Sequence, residues 1–310
     1  MSAGPSRQVG FVFPGQGSQR VGMLESLPEV AGLARLLDAA EALSGMNLRT
    51  RAADGPEDAL ADTLVVQPLL YLADCAWASA LEEAGVIPAA VAGHSLGELA
   101  ALACAGVYSV EAGLELVCHR ARLMAEAVES TPGGMVAVLG LDRSGIADAL
   151  GGLENVWVAN DNSPTQVIVS GTLAGLEEAT PVLQAAGATR VKVLKVSGPF
   201  HTPLMHSAQE AFAEILSRTA FADARIPVVQ NTMPDGTTDA HMIRERLAAQ
   251  ITSPVRWTET MLTFNQMGID TIIEAGPGKV LSGLARKSGL FSTAAPDSEG
   301  VARAVEVICE

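Results

Sequence analysis

Cysteine is scarce. The four that occur, Cys75, Cys104, Cys118 and Cys309, lie far apart, without the density of a disulfide framework or the close spacing of a metal site, so buried free thiols are expected. Basic residues are also in short supply: 20 Lys and Arg face 35 Asp and Glu, a formal net charge of −15. That balance argues against nucleic acid or an anionic membrane as the main partner, and any anionic ligand must be met by arginines gathered locally. No uncharged apolar run approaches the ~20 residues that cross a bilayer, and alanine and leucine account for the mean hydropathy of +0.28. The chain starts Met1-Ser2-Ala3-Gly4-Pro5 without the apolar core of a secretory signal. These absences predict a cytoplasmic protein. Repeats and low-complexity tracts are missing too.

What is present centres on one stretch, Ala89-Ala90-Val91-Ala92-Gly93-His94-Ser95-Leu96-Gly97-Glu98-Leu99. It reads as a short buried strand, a Gly-x-Ser-x-Gly turn and a helix, which is the pattern of a nucleophile elbow. A serine at the tip of so tight a turn is strained, and side chains at the flanking glycines would collide. The helix that follows offers unpaired N–H groups and a positive dipole end, a setting that favours an oxyanion.

The rest of the chain alternates strands and helices, which predicts a parallel sheet covered on both faces. Val9 to Phe13 is a strand, followed by the turn-forming loop Pro14-Gly15-Gln16-Gly17-Ser18-Gln19. That loop lacks the Gly-Lys-Ser/Thr ending of a phosphate-binding P-loop. Helices are expected at 33–44, 57–63, from Gln67-Pro68 to about Ala84, and at 110–128, where His119, Arg120 and Arg122 stand among apolar residues. Thr131-Pro132-Gly133-Gly134 reads as a hinge. After it, strands and helices follow in the order β-α-β-β-α-β up to Val196, the split arrangement of a ferredoxin-like unit. Beyond Phe200-His201 come a helix to Arg218, a strand at 226–231, helices ending near Gln250 and Met267, a strand at 271–275 and a helix to Arg286. The expectation is an α/β fold in which an α/β-hydrolase-like large domain, residues 1–129 and 197–310, carries an inserted ferredoxin-like small domain, residues 130–196.

A serine nucleophile needs a neighbouring base, and five histidines are available. His94, on a strand next to Ser95, would point to the opposite face. His119 and His206 fall in helices and His241 in a polar loop, whereas His201 follows a Gly-Pro turn where the chain re-enters the large domain. His201 is therefore the best placed. Asp142, Asp148 and Asp161 lie between nucleophile and histidine without a motif around any of them, so the choice between an Asp and a backbone carbonyl as the group orienting the imidazole stays open.

Phe13-Pro14-Gly15-Gln16-Gly17-Ser18-Gln19, Gly93-His94-Ser95-Leu96-Gly97-Glu98, the Arg120 helix, Phe200-His201 and Glu274-Ala275-Gly276-Pro277-Gly278, in that order, resemble the malonyl-CoA:acyl carrier protein transacylase family. The resemblance spans residues 9–287. It implies that Ser95 is acylated, that His201 is its general base oriented by the main-chain carbonyl of Gln250, and that the N–H groups of Leu96 and Gln16 form the oxyanion hole. It further implies that Arg120 binds the malonyl carboxylate, that Phe200 and Met124 line the acyl pocket, and that Leu96 with Phe200 follows a malonyl-selective pattern. Asn160 and Asn162 match asparagines of the family's small domain that line or support the cleft, a simple turn role being the alternative, and His94 is a structural neighbour of the nucleophile. Malonyl-CoA and an acyl carrier protein, which brings its own phosphopantetheine, are then the partners; no metal or redox cofactor is needed, and a monomer is expected. Because carrier proteins are acidic like this chain, a local basic patch is expected at Lys192, Lys195, Lys279, Arg286 and Lys287. The competing functions are a discrete acyltransferase of a polyketide synthase or malonate decarboxylase, a serine esterase or thioesterase, and a catalytically silent carrier-binding module.

Overall fold

The computed structural model describes residues 7–309, so the Met1–Pro5 start and the outermost ends of the predicted domain ranges lie outside the described residues. Eight strands are present among them: β1 (Val9–Phe13), β2 (Ala90–Gly93), β3 (Gly133–Leu139), β4 (Val156–Ser163), β5 (Gln166–Thr172), β6 (Arg190–Val193), β7 (Thr271–Glu274) and β8 (Ser292–Ala294). They form two sheets, β2-β1-β7-β8 and β4-β5-β3-β6.

All neighbours in the first sheet are parallel. β1, β2 and β7 are buried at every residue, because a parallel sheet covered by helices on both faces has no solvent side and selects unbroken apolar runs such as Val9–Phe13. The helix Thr63–Glu83 runs through the core beside it. By length and composition this helix could cross a membrane, yet most of it is buried inside the molecule.

The second sheet is antiparallel throughout, in the β-α-β-β-α-β order expected from the sequence. Its faces divide by strand alternation. Val136, Val138, Val167 and Val169 pack on the helices Arg143–Leu150 and Leu173–Ala185 in a core of their own. Met135, Ala137 and Ile168 face the other way and join the large core. The sheet is also hydrogen-bonded to the large unit, Asp161 N–H donating to Val255 O at 2.8 Å and Val255 N–H to Ala159 O at 2.8 Å.

Several expectations require correction. Gly133 and Gly134 are not a hinge but the first residues of β3, paired with Thr172 and Gly171. The long helix begins at Thr63, where the Asp62 side chain caps Leu64 N–H, and it tolerates Pro68 in its interior instead of starting there. Residues 57–60 form only a short 3-10 turn, and a helix at Leu48–Asp54 was not anticipated. His241 lies in the helix Ala240–Ala249, not in a loop. Residues 226–231 form no strand: Val228 makes single bridges to Val91 and Thr237. Pro227 has no N–H to donate, and the Asn231 N–H is taken by the Glu98 carboxylate at 2.7 Å, so the ladder cannot extend. Beyond residue 287 the chain adds β8 and the helices Pro296–Glu299 and Val301–Cys309.

Candidate active site

β2 delivers the chain to Ser95, which adopts φ 52°, and the helix Gly97–Cys104 leaves from it. The two glycines are sterically required. A Cβ on Gly93 would stand 1.9 Å from the Gly97 carbonyl carbon, and one on Gly97 would stand 2.1 Å from Phe13 O. With no room for side chains, strand end and helix start close on each other and leave the serine at the tip.

His201 reaches the same point from the other part of the chain, also in the left-handed region at φ 60°. Its Nε2 lies 2.8 Å from Ser95 Oγ. Its Nδ1 faces two carbonyls, Gln250 O at 3.0 Å and Ser253 O at 3.1 Å. A ring nitrogen between two acceptors carries the proton, which leaves Nε2 as the acceptor for the serine hydroxyl. Burial, reinforced by the nearby Arg120 charge, pushes the imidazole down to about 3, so it is neutral at physiological pH. The imidazole meets these two main-chain carbonyls and none of the three aspartates. Asp142 caps Gly145 N–H, Asp148 is exposed, and Asp161 receives the Thr258 hydroxyl.

Arg120 projects from the helix Val110–Ser130 into the interior and is 1% exposed. Its Nη1 donates to Gln67 Oε1 at 2.8 Å, its Nη2 to Gln250 Oε1 at 3.0 Å and to Ser95 Oγ at 3.2 Å. Both amide partners are neutral, and Nε has no partner among the described residues. Burial lowers this guanidinium to about 10, with the charge of Glu98 acting the other way; it remains a cation without a carboxylate in contact. Its basic neighbours on this helix stand elsewhere: Arg122 bonds to His119 and pairs with Glu126.

Gln250 ties these parts together. Its carbonyl receives His201, its Oε1 receives Arg120, and its Nε2 donates to Ser95 O at 3.0 Å. Gln67 was missed by the sequence reading, although a buried amide on an apolar helix face is the kind of residue that marks a polar site.

The loop after β1 lies directly against the elbow. A Cβ on Gly15 would be 2.3 Å from His94 O and 3.7 Å from Leu96 N, which brings the next residue, Gln16, beside the start of the helix. Among the described residues neither the Gln16 nor the Leu96 N–H has an acceptor. Ser95, His201, Arg120, Gln16 and Leu96 border one cavity of about 80 Å³, whose apolar wall includes Met124 and Phe200.

His94 does not point away. It lies past the last residue of β2, where alternation no longer applies, and borders this cavity. Its Nε2 is occupied by Asn162 Oδ1 at 2.8 Å and its ring tilts against Trp257. Asn160 lines the cavity as well. A separate groove of about 360 Å³ runs between the β4–β5 turn and the helices Trp257–Gln266 and Val280–Ser288, with Asn162 and Lys287 on its wall. The five basic residues fall into two groups. Lys192 is on β6 and Lys195 just after it, Lys195 pairing with Asp58 at 3.0 Å. Lys279, Arg286 and Lys287 belong to the helix Val280–Ser288 and its cap, with Arg286 bonded to Thr293 Oγ1.

Residues 10–296 match the family model described as an acyl transferase domain. The chain is 41% identical to the malonyl CoA-acyl carrier protein transacylase of Synechocystis sp. over 90% of its length and 92% of that protein's. It is 37% identical to the enzyme of the same name from Bacillus subtilis, over 98% of both. Among solved structures, a malonyl-transacylase in complex with its type II polyketide acyl-carrier protein superposes with a TM-score of 0.89 at 37% identity, covering 96% of this chain and 99% of that one. The chain belongs to the acyl transferase domain family.

Proposed function

We propose that this chain transfers the malonyl group of malonyl-CoA to the phosphopantetheine thiol of an acyl carrier protein through a malonyl-serine intermediate, supplying fatty acid or polyketide synthesis. One observation carries the reading: a buried, cationic Arg120, paired only with neutral amides, stands 3.2 Å from the nucleophilic oxygen. In a malonyl thioester the free carboxylate is two bonds from the reacting carbonyl, so a guanidinium beside the nucleophile meets it while the carbonyl lies over Ser95. The planar fork holds a carboxylate through two N–H bonds where lysine offers a point charge.

In the first step Ser95 Oγ attacks the thioester carbon as His201 Nε2 takes its proton. The oxyanion rests on the Leu96 and Gln16 N–H groups. The C–S bond then breaks and His201 returns the proton to the departing thiolate. In the second step the carrier thiol gives its proton to His201, its sulfur attacks the serine ester, and Ser95 leaves with the proton restored. The residues named supply every proton transfer and charge contact. His94 and Asn162 support the floor of the cleft, Asn160 lines it, and Phe200, Met124 and Leu96 limit acyl size. An esterase reading is weaker, since Arg120 would have no role.

In this reading the unit around the parallel sheet is hydrolase-like and spans residues 1–129 and 197–310, while the antiparallel unit, residues 130–196, is ferredoxin-like. The enzyme works as a cytoplasmic monomer, and the carrier docks on Arg286, Lys287 and Lys279, with Lys192 and Lys195 at its margin. The test is acyl preference. Arg120→Leu should lower kcat/KM for malonyl-CoA roughly 10- to 100-fold, the worth of about 1.5–3 kcal/mol of charged hydrogen bonds, and leave acetyl-CoA turnover unharmed. An unchanged malonyl-to-acetyl ratio would refute the assignment.

A further inference from the structure

Ser95 is held in an unfavourable backbone conformation, and one residue of the irregular segment 226–231 supplies the hold. Asn231 is wholly buried and uses all four of its polar groups. Its Oδ1 accepts Ser95 N–H at 2.7 Å and its Nδ2 donates to Gly93 O at 2.6 Å. Its main-chain N–H donates to Glu98 Oε2 at 2.7 Å, and its carbonyl accepts Arg256 N–H at 3.1 Å. Glu98, also wholly buried, sits in the first turn of the helix that leaves the nucleophile, and its other oxygen accepts Gln230 Nε2 at 3.1 Å. Asn231 thus bridges the end of the strand, the nucleophile and the start of the helix.

We propose that Asn231, anchored on Glu98, is the positioning residue of the nucleophile: it fixes Ser95 at positive φ and withdraws the Ser95 N–H, so that Leu96 and Gln16 alone present amides to the oxyanion. A non-glycine residue at positive φ persists only where its surroundings over-determine it, and the two side-chain bonds of Asn231 hold the main chain entering Ser95, at Gly93 O and the Ser95 N–H, while Gln250 Nε2 holds the carbonyl that leaves it. Without them the turn relaxes and the Ser95 N–H, freed, competes for the space the Leu96 N–H points into. The loss should fall on the chemical step and spare binding, because Asn231 is outside the group of residues that meet the malonyl carboxylate.

This inference rests on the transacylase reading, and the experiment separates the two. The rate of acyl-enzyme formation is measured by quenched mixing with malonyl-CoA for wild type and Asn231→Ala. Affinity for malonyl-CoA is measured on Ser95→Ala with and without Asn231→Ala, and folding by thermal melting. The expected result is an acylation rate lowered ~100-fold, the scale of a roughly 1 Å misplacement of a reacting group, with affinity unchanged. Should Asn231→Ala not fold, Glu98→Gln, which keeps the size of the anchor but removes its charge, should shift the rate in the same direction. A folded variant that acylates at the wild-type rate, or one whose loss lies wholly in affinity, overturns the inference. A wild type that forms no acyl-enzyme overturns the functional reading instead.

Discussion

The imidazole of His201 loses its charged form chiefly through loss of solvent and secondarily through Arg120, which together outweigh the carbonyls of Gln250 and Ser253 that favour the charge, and it is pushed from 6.5 to about 3. The sign of the stability effect follows. Below pH 6.5 the unfolded chain takes up a proton that the folded one refuses until about 3, so this group's contribution to stability is progressively lost as pH is lowered across that interval. Replacing His201 with Gln should therefore flatten the acid limb of the pH–stability curve between those values, read by denaturant unfolding; an identical slope in both proteins would contradict the burial argument. Acylation should also persist at pH 5, where an ordinary histidine is charged. At this scale the sequence was informative where a motif fixed the residue: Ser95, His201 and Arg120, singled out on their motifs, lie within hydrogen-bond distance of one another through Ser95 Oγ. It was uninformative for Gln67 and Asn231, single buried amides whose partners lie 53 and 136 residues away, because a polar residue in an apolar stretch does not announce what it will bond.

Among the elements, the helix Thr63–Glu83 carries an unresolved conflict in its interior. Asp74 is fully buried, neither carboxylate oxygen has a partner among the described residues, and its Oδ1 would stand 2.2 Å from a Cβ on Gly276. Burial, with Glu274 adding to it, raises this carboxyl well above 3.8. The unfolded chain then releases a proton above that value that the folded one keeps, and stability falls as pH rises. Asp74→Ala, which restores the best helix former, should stabilise by about 1–3 kcal/mol at pH 8, the cost of an unsatisfied buried polar group, and by less near pH 4. Equal melting temperatures for both proteins at pH 8 would disprove this account. Helices and strands with strong periodicity were legible to within a few residues. Residues 226–231 were misread as a strand because their apolar pattern is right while Val228 and Val229 donate to two different segments, Thr237 O and Val91 O, and the Asn231 N–H goes to the Glu98 side chain, a tertiary choice that local pattern does not record.

Over the whole molecule, the β-α-β-β-α-β unit was readable from the order of its elements, yet its close attachment was not. One face of its sheet joins the large core, a backbone bridge joins β4 to Val255, and Lys195 pairs with Asp58 at 3.0 Å. The active cavity draws its walls from both units, Met135 and Ile168 from one and Met124 from the other. Net charge poses the remaining problem at this scale, since an acidic chain must receive an acidic carrier. Reversing Arg286 and Lys287 to Glu should raise KM for the carrier while acylation by malonyl-CoA proceeds unchanged; carrier kinetics equal to wild type would remove this docking surface.

The most direct measurement is the intact mass of the protein after brief exposure to malonyl-CoA, with acetyl-CoA and methylmalonyl-CoA in parallel and Ser95→Ala and Arg120→Leu as companions. A malonyl adduct on wild type, absent from Ser95→Ala and reduced in Arg120→Leu, is the predicted result. Equal labelling by acetyl-CoA, or an adduct that survives the loss of Ser95, would contradict the account.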